Sequence, residues 1–126
     1  MKTIYAIDFD GTLCEKDKYP SIGEPNLLLI EYVKKLKEAG NTIILWTCRC
    51  EEQLDAAVEW CKSYGLEFDY VNENAPELIK SFGRDNRKIF ANYYIDDRAL
   101  DFKLLMEFLK REEELSNFNA GGEQIE

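Results

Sequence analysis

A short apolar run followed at once by two carboxylates constrains this chain more than any other feature. Residues 4–7 read Ile-Tyr-Ala-Ile, the composition of a strand that is buried on both faces, as in parallel sheets. Asp8 and Asp10 follow directly, and Gly11 then permits a sharp turn. Because ligands of open α/β sheets bind at the carboxyl ends of the strands, these acids are expected either to hold a cation or to perform acid–base chemistry.

Two simpler interpretations of this stretch compete. Asp-Gly is common in turns, so the pair could mark only a turn. The spacing also matches the start of a calcium-binding loop, which needs glycine at its sixth position and glutamate at its twelfth. Those positions hold Leu13 and Tyr19, so the calcium loop is excluded. A catalytic or metal-binding role is favoured, provided that the rest of the chain supplies partners.

The rest of the chain alternates strand and helix signals. Strands are predicted at residues 4–7, 42–46 and 68–71 and within residues 89–95. One short helix is predicted at residues 76–82. Three further helices are predicted from their apolar faces, which consist of Leu29, Val33 and Leu36; of Leu54, Ala57, Val58 and Cys61; and of Phe102, Leu105, Met106 and Leu109. This order predicts an α/β protein, a three-layer α/β/α Rossmann-like fold with a mainly parallel sheet of about four to five strands.

The length of 126 residues suits one domain. We expect this domain to span residues 1–115 and the polar residues 116–126 to form a disordered tail. The chain shows no internal repeat, and no second domain is expected.

Composition narrows the classes of function. The net charge of -9 makes a nucleic-acid partner unlikely, because such surfaces are strongly basic, although a small phosphorylated substrate stays open. No apolar run is long enough for a membrane span or a signal peptide, so a cytoplasmic protein without membrane contact is expected. The chain has no histidine, and its four cysteines form no C-x-x-C pair. Zinc is therefore disfavoured, the cysteines are expected to be reduced, and acid–base chemistry falls to carboxylates or lysine.

The predicted topology brings polar side chains to one edge of the sheet. They are Asp8 and Asp10 after the first strand, Thr47 after the second, and Asp96 and Asp97 after the fourth, with Lys88 shortly before that strand. Four carboxylates that converge without a cation repel one another. A divalent ion with hard oxygen ligands removes this repulsion, and Mg²⁺ is the expected ion. A hydroxyl and an ammonium group beside it could hold a phosphoryl group.

These residues resemble the signatures of the haloacid dehalogenase (HAD) superfamily of phosphohydrolases. The matching segments are Asp8-Phe9-Asp10-Gly11-Thr12-Leu13, Thr47 after Ile43-Ile44-Leu45-Trp46, a basic residue, and Asp96-Asp97 after Tyr93-Tyr94-Ile95. The resemblance extends to about Leu109. The first and last segments in this order are specific, whereas a lone threonine or lysine is not.

The resemblance implies a role for each residue. Asp8 would attack phosphorus to form an aspartyl-phosphate, and Asp10 would protonate the leaving group and then activate water. Thr47 would hydrogen-bond a phosphoryl oxygen, and Lys88 would neutralise the nucleophile and the phosphate.

The metal ligands implied by the resemblance overlap with this set. Mg²⁺ would bind Asp8, the backbone carbonyl of Asp10 and Asp97, with Asp96 acting through water or as a supporting partner.

Several assignments keep alternatives. Lys80, Arg84 and Arg87 are rivals of Lys88 for the phosphate-facing cation. In the same way, Thr47 could serve as a helix N-cap. Arg49 could bind substrate or could be a solvated residue of the first helical turn.

The spacing between the signatures leaves no room for a cap domain, so the chain resembles the small capless phosphatases. We expect a Mg²⁺-dependent phosphomonoester hydrolase that acts on a small phosphorylated metabolite. The alternatives are a phosphatase of nucleic-acid ends or phosphoprotein, and a non-catalytic module that binds phosphate or metal. Residues 14–24, with Lys16, Lys18 and Tyr19, are a candidate lid, and a homodimer supported by Tyr19 stays open.

Overall fold

The computed structural model of the chain describes the backbone of residues 2–125 and the side chains of residues 2–118. The strands are β1 (Ile4–Ile7), β2 (Thr42–Leu45), β3 (Tyr70–Val71) and β4 (Tyr93–Ile95). The helices are α1 (Leu27–Glu38), α2 (Glu51–Ser63), α3 (Pro76–Phe82) and α4 (Phe102–Ile125). All strand pairs are parallel, so the predicted α/β class is confirmed with four strands. Within residues 2–125 no cap domain is inserted between these elements.

The strand register aligns the strand ends at one edge of the sheet. The order is β3-β2-β1-β4, with Ile7 paired to both Leu45 and Ile95. Beyond these pairs, the backbone N–H of Trp46 donates to Ile7 at 2.9 Å and that of Asp8 donates to Ile95 at 2.9 Å. The residues after β1, β2 and β4 therefore lie side by side. The chain leaves β1 towards β2 on one side and returns to β4 on the other, and such a switch point is where α/β sheets bind ligands.

Two apolar cores lie on opposite faces of the sheet and produce the three-layer arrangement. Side chains alternate along β2, so Ile43 and Leu45 face one side and Ile44 faces the other. The first core includes Val33 of α1 and Cys61 of α2, and the second includes residues of α3. All four cysteines are free, as expected.

The last helix differs from the sequence prediction. Its apolar spacing predicts a buried stripe, but Phe102 is 75% exposed and Met106 and Leu109 are each 48% exposed. Neither core of the described residues contains a residue of α4. The spacing correctly indicates a helix, but periodicity alone does not say which surface the apolar face meets.

The predicted disordered tail also differs from the structure. α4 continues through residues 116–125, and Glu126 lies outside the described residues. The preceding segment from Lys110 to Leu115 consists of strong helix formers. Because extending an existing helix is far easier than starting one, the helix propagates into the polar end of the chain.

Among the described residues, no helix is long and apolar enough to cross a lipid bilayer.

Candidate functional site

Three carboxylates meet where β1 and β4 end. One oxygen from each of Asp8, Asp96 and Asp97 lies within 4.8 Å of the others. Asp8 and Asp96 are half-buried, and Asp97 is exposed. Their convergence follows from the hydrogen bond between Asp8 and Ile95, which places the start of the β4 loop beside the end of β1.

Thr12 connects the two sides of this cluster. Its Oγ lies 2.9 Å from an oxygen of Asp8 and 3.1 Å from an oxygen of Asp97, and its single hydrogen can be donated to one of them at a time. The same oxygen accepts the backbone N–H of Asp97 at 3.0 Å. Thr12 is buried, so this bridge fixes the β1 loop against the β4 loop.

Gly11 allows Asp97 to approach this closely. Its φ of +86° is a conformation that side chains other than glycine rarely adopt. A Cβ atom at this position would lie 2.6 Å from Oδ2 of Asp97. The Asp-Gly pair is thus a turn, as the simpler interpretation holds, and it is also part of the carboxylate site.

Burial and neighbouring charge change the acidity of Asp8. Burial raises the pKa of Asp8 to about 6, the hydrogen bond from Thr12 opposes this rise, and the charge of Asp96 adds to it. A carboxylate crowded in this way is stabilised as an anion by a cation. Three hard oxygen donors at this spacing fit a divalent ion such as Mg²⁺ or Ca²⁺. The donor set thus agrees with the expected metal site without selecting one ion.

Asp10 occupies a different environment from the cluster. Its two carboxylate oxygens accept hydrogen bonds from Nε and Nη2 of Arg49, both at 2.8 Å. Arg49 is 2% exposed, so it is not a solvated residue, and because it lines the cleft its predicted contact with substrate stays a prediction. The carboxylate of Asp10 lies outside the three-acid group, and it lines the same cleft as Asp8.

Thr47 lies in the cleft beside Asp8. Its backbone N–H donates to Oδ1 of Asn72 at 2.8 Å, and its Oγ1 accepts the N–H of Arg49 at 3.2 Å. The N-cap of α2 is Cys50, so Thr47 is not the N-cap residue. The Thr47 oxygen is the acceptor in the contact with Arg49. The hydroxyl proton is therefore not used there and can be donated towards the cleft.

Lys88 lies in another part of the surface, and this corrects the predicted site. It lines a separate groove with Phe82, Phe90 and Tyr94. The chain before β4 runs along the α3 face of the sheet, where Asn74 binds the backbone N–H of Phe90 at 2.7 Å. Proximity to β4 in sequence therefore does not bring Lys88 to the carboxyl end of that strand.

The acidic cleft has a volume of about 400 Å³, and its basic side chains are not the ones predicted to face the phosphate. Ten described residues line it: Asp8, Asp10, Lys16, Asp17, Tyr19, Thr47, Cys48, Arg49, Asp96 and Arg98. Neither Lys88 nor its rivals Lys80, Arg84 and Arg87 belong to this group. Lys16 and Arg98 are the exposed cations of the cleft wall.

Sequence reasoning missed several contributors to the site. Thr12 stands in a sequence motif without a predicted role of its own, and Gly11 is predicted only as a turn residue. Their position directly after a buried strand is the signal that both belong to the site. Arg98 directly follows Asp96 and Asp97, so its place at the strand end could have been inferred. The hydrogen bond from Thr47 to Asn72 depends on how the end of β3 packs against β2, and no local pattern predicts that contact.

Comparison with solved structures identifies a similar protein. It is described as the conserved protein coded by a locus from Bacteroides thetaiotaomicron, and it is 38% identical to this chain with a TM-score of 0.68. The match covers 89% of this chain and 93% of that one. No model of a known protein family matches the sequence, and no curated protein matches it. This chain therefore belongs to the same family as that conserved Bacteroides protein.

Proposed function

We propose that the protein is a Mg²⁺-dependent phosphomonoester hydrolase that works through an aspartyl-phosphate on Asp8. The observation that carries this proposal is the convergence of Asp8, Asp96 and Asp97 within 4.8 Å at the end of β1. Asp10 and Thr47 line the same cleft. A cation site, a candidate nucleophile, a proton carrier and a hydroxyl donor are thus grouped as phosphoryl transfer requires.

The chemistry divides into two displacements at phosphorus. In the first, an oxygen of Asp8 attacks, the bond to the leaving oxygen breaks, and that oxygen takes a proton from Asp10. In the second, water attacks the aspartyl-phosphate while Asp10 accepts its proton, and the carboxylate of Asp8 leaves. The hydroxyl of Thr47 would donate to a phosphoryl oxygen during both displacements.

Mg²⁺ held by Asp8, Asp96 and Asp97 would offset the charge of the carboxylates and the phosphate. The raised pKa of Asp8 supports this assignment, because burial, with a smaller contribution from the charge of Asp96, disfavours the anion that a cation would stabilise. Lys16 and Arg98 replace Lys88 as the candidate phosphate-facing cations, since both line the cleft.

The absence of a cap domain from residues 2–125 leaves the cleft open on one side. This geometry suits a small phosphorylated metabolite and also a larger phosphorylated end. The net charge of -9 weighs against a nucleic acid, so the small metabolite is the favoured substrate class.

Phosphate release from a panel of phosphomonoesters tests the proposal. The panel includes 4-nitrophenyl phosphate, sugar phosphates and nucleotides, each with Mg²⁺ and with a chelator. The wild type is expected to be active with Mg²⁺, Asp8→Asn inactive, and Asp55→Asn fully active because Asp55 is exposed on α2. Binding of Mg²⁺ without release from any compound would contradict the proposed hydrolase and favour the binding module.

A further inference from the structure

Arg49 has more contacts than a substrate-binding arginine needs. Besides its two bonds to Asp10, its Nη1 donates to the carbonyl of Pro20 at 3.1 Å and its Nη2 donates to the carbonyl of Ser21 at 2.8 Å. The guanidinium also lies between two aromatic rings, 5.0 Å from the centroid of Phe9 and 5.0 Å from that of Tyr19. Each of its three nitrogens therefore donates to the protein itself, through four of the five N–H groups.

This arrangement requires an arginine. Its flat guanidinium presents several donors in one plane, so it can hold two carboxylate oxygens and two carbonyl oxygens while both faces stack on rings. A lysine has a single nitrogen and could not reach all four acceptors. Arg49 itself is anchored because its backbone N–H donates to Thr47 at 3.2 Å.

Three of these contacts, with the carbonyls of Pro20 and Ser21 and with the ring of Tyr19, concern one segment, residues 15–24. The base of this loop is tied by backbone bonds from Glu15 to Glu24 at 2.8 Å and from Asn26 to Leu13 at 2.8 Å. Its middle, residues 15–21, is exposed to solvent. Three of these residues, Lys16, Asp17 and Tyr19, form one wall of the cleft. The position of that wall therefore depends on the contacts of Arg49 with the loop.

We propose that Arg49 is a positioning residue that holds Asp10 and residues 15–24 as one fixed unit at the mouth of the cleft. The inference rests on the proposed function for its catalytic consequence, but its structural part does not. In this role Arg49 acts through other residues: it orients the proton carrier Asp10 and fixes the loop that presents Lys16. The loop considered as a candidate lid is thus a fixed wall of the cleft, and Arg49 joins this wall to Asp10.

A proteolysis experiment tests the structural part without any substrate. Lys16 and Lys18 are exposed trypsin sites in the loop, so cleavage after them reports how freely the loop leaves the body. Wild type and Arg49→Met are compared with Arg111→Met, which removes an exposed arginine of α4. Rapid cleavage at the loop is expected for Arg49→Met alone, with circular dichroism showing that the remaining protein stays folded.

Kinetics with a sugar phosphate, whose leaving oxygen must be protonated, test the catalytic part. Arg49→Met is expected to lower kcat by about 100-fold, the size of a general acid–base contribution, while KM changes little. Arg49→Lys is expected to recover part of the loop protection but little of kcat, because one ammonium cannot orient both oxygens of Asp10. A raised KM with an unchanged kcat would instead assign Arg49 to substrate binding and overturn the proposal.

If folded Arg49→Met were cleaved at the loop as slowly as the wild type, that result would also overturn the proposal. If Arg49→Met does not fold, trypsin cleavage of the loop in Tyr19→Ala tests the proposal instead. This variant removes one stacking ring and keeps the bonds between Arg49 and Asp10. Faster loop cleavage in Tyr19→Ala supports the proposal, and unchanged cleavage overturns it. If the wild type releases no phosphate, the proposed function fails while the proteolysis result still stands or falls separately.

Discussion

At the residue scale, the site depends on a glycine that lets two loops touch. Replacing Gly11 with alanine is expected to lower the free energy of unfolding by roughly 1–3 kcal/mol, because the backbone has a positive φ. It should also abolish metal binding, since the added Cβ would collide with Asp97. Urea unfolding and calorimetric titration with Mg²⁺ measure the two effects.

Gly83→Ala provides a matched control for Gly11→Ala. Gly83 has a φ of +82°, but no atom lies within 4 Å of an added Cβ. Similar destabilisation with normal metal binding is therefore expected. Normal Mg²⁺ affinity in Gly11→Ala would show that Asp97 is not held against this glycine.

The raised pKa of Asp8 predicts a pH dependence of stability. The folded state raises this pKa from 3.8 to about 6, so the protonated form is favoured on folding. This contribution is fully present below a pH of about 4 and is lost as the pH rises through about 6. With a chelator present, Asp8→Asn should therefore gain stability relative to the wild type as the pH rises from about 4 to about 7.

Thermal unfolding across this pH range measures that difference. Asp55→Asn, at an exposed position of α2, should show a constant difference from the wild type. A constant difference for Asp8→Asn as well would mean that Asp8 titrates alike in the folded and unfolded chains.

At the scale of elements, the sequence predicted most of the strands and helices. Local pattern was sufficient for β1 and α3, whose observed limits match the predicted residues 4–7 and 76–82. Asp8, Asp96 and Asp97 could be grouped from sequence because parallel strands align their carboxyl ends. Lys88 could not be placed, because its position depends on how the connection into β4 packs on α3.

Asn74 fixes that connection. It is 1% exposed, its Nδ2 donates to Asp85 at 2.7 Å and to the carbonyl of Asn86 at 3.1 Å, and its Oδ1 accepts from Phe90. Asn74→Ala should lower the free energy of unfolding by about 2–3 kcal/mol, because the hydrogen bonds of a buried side chain to three residues of the connection are lost. Asn117→Ala, at an exposed position of α4, should cost little in the same urea titration. Equal losses would contradict the assigned role of Asn74.

At the scale of the whole molecule, α4 carries seven of the sixteen exposed large hydrophobic side chains of the described residues. Leu104, Phe108, Leu115 and Phe118 recur on one side of the helix and are 58%, 56%, 49% and 72% exposed. An isolated helix gains most of its stability from packing such a face, so a covering surface is expected. The described side chains of α4 include three basic and four acidic residues, so this helix is nearly neutral in a chain of net charge -9. A second copy can therefore pair with it without strong repulsion.

The homodimer thus stays a prediction, with α4 rather than Tyr19 as its contact. Sedimentation velocity is expected to show a dimer for the wild type and a monomer for Leu104→Asp combined with Phe108→Asp. Leu28→Asp, which changes an 88% exposed residue of α1, should remain a dimer. A monomeric wild type would remove the second copy as the partner of α4.

The most direct test of the proposed chemistry is detection of the phosphorylated aspartate. With Mg²⁺ and 4-nitrophenyl phosphate, whose leaving group needs no proton, Asp10→Asn should still form the intermediate but hydrolyse it slowly. Acid quenching and peptide mass spectrometry are then expected to find a phosphoryl group on Asp8. The double variant that also carries Asp8→Asn should show none. Turnover by the wild type without a phosphoryl group on Asp8 in the trapping variant would contradict the account.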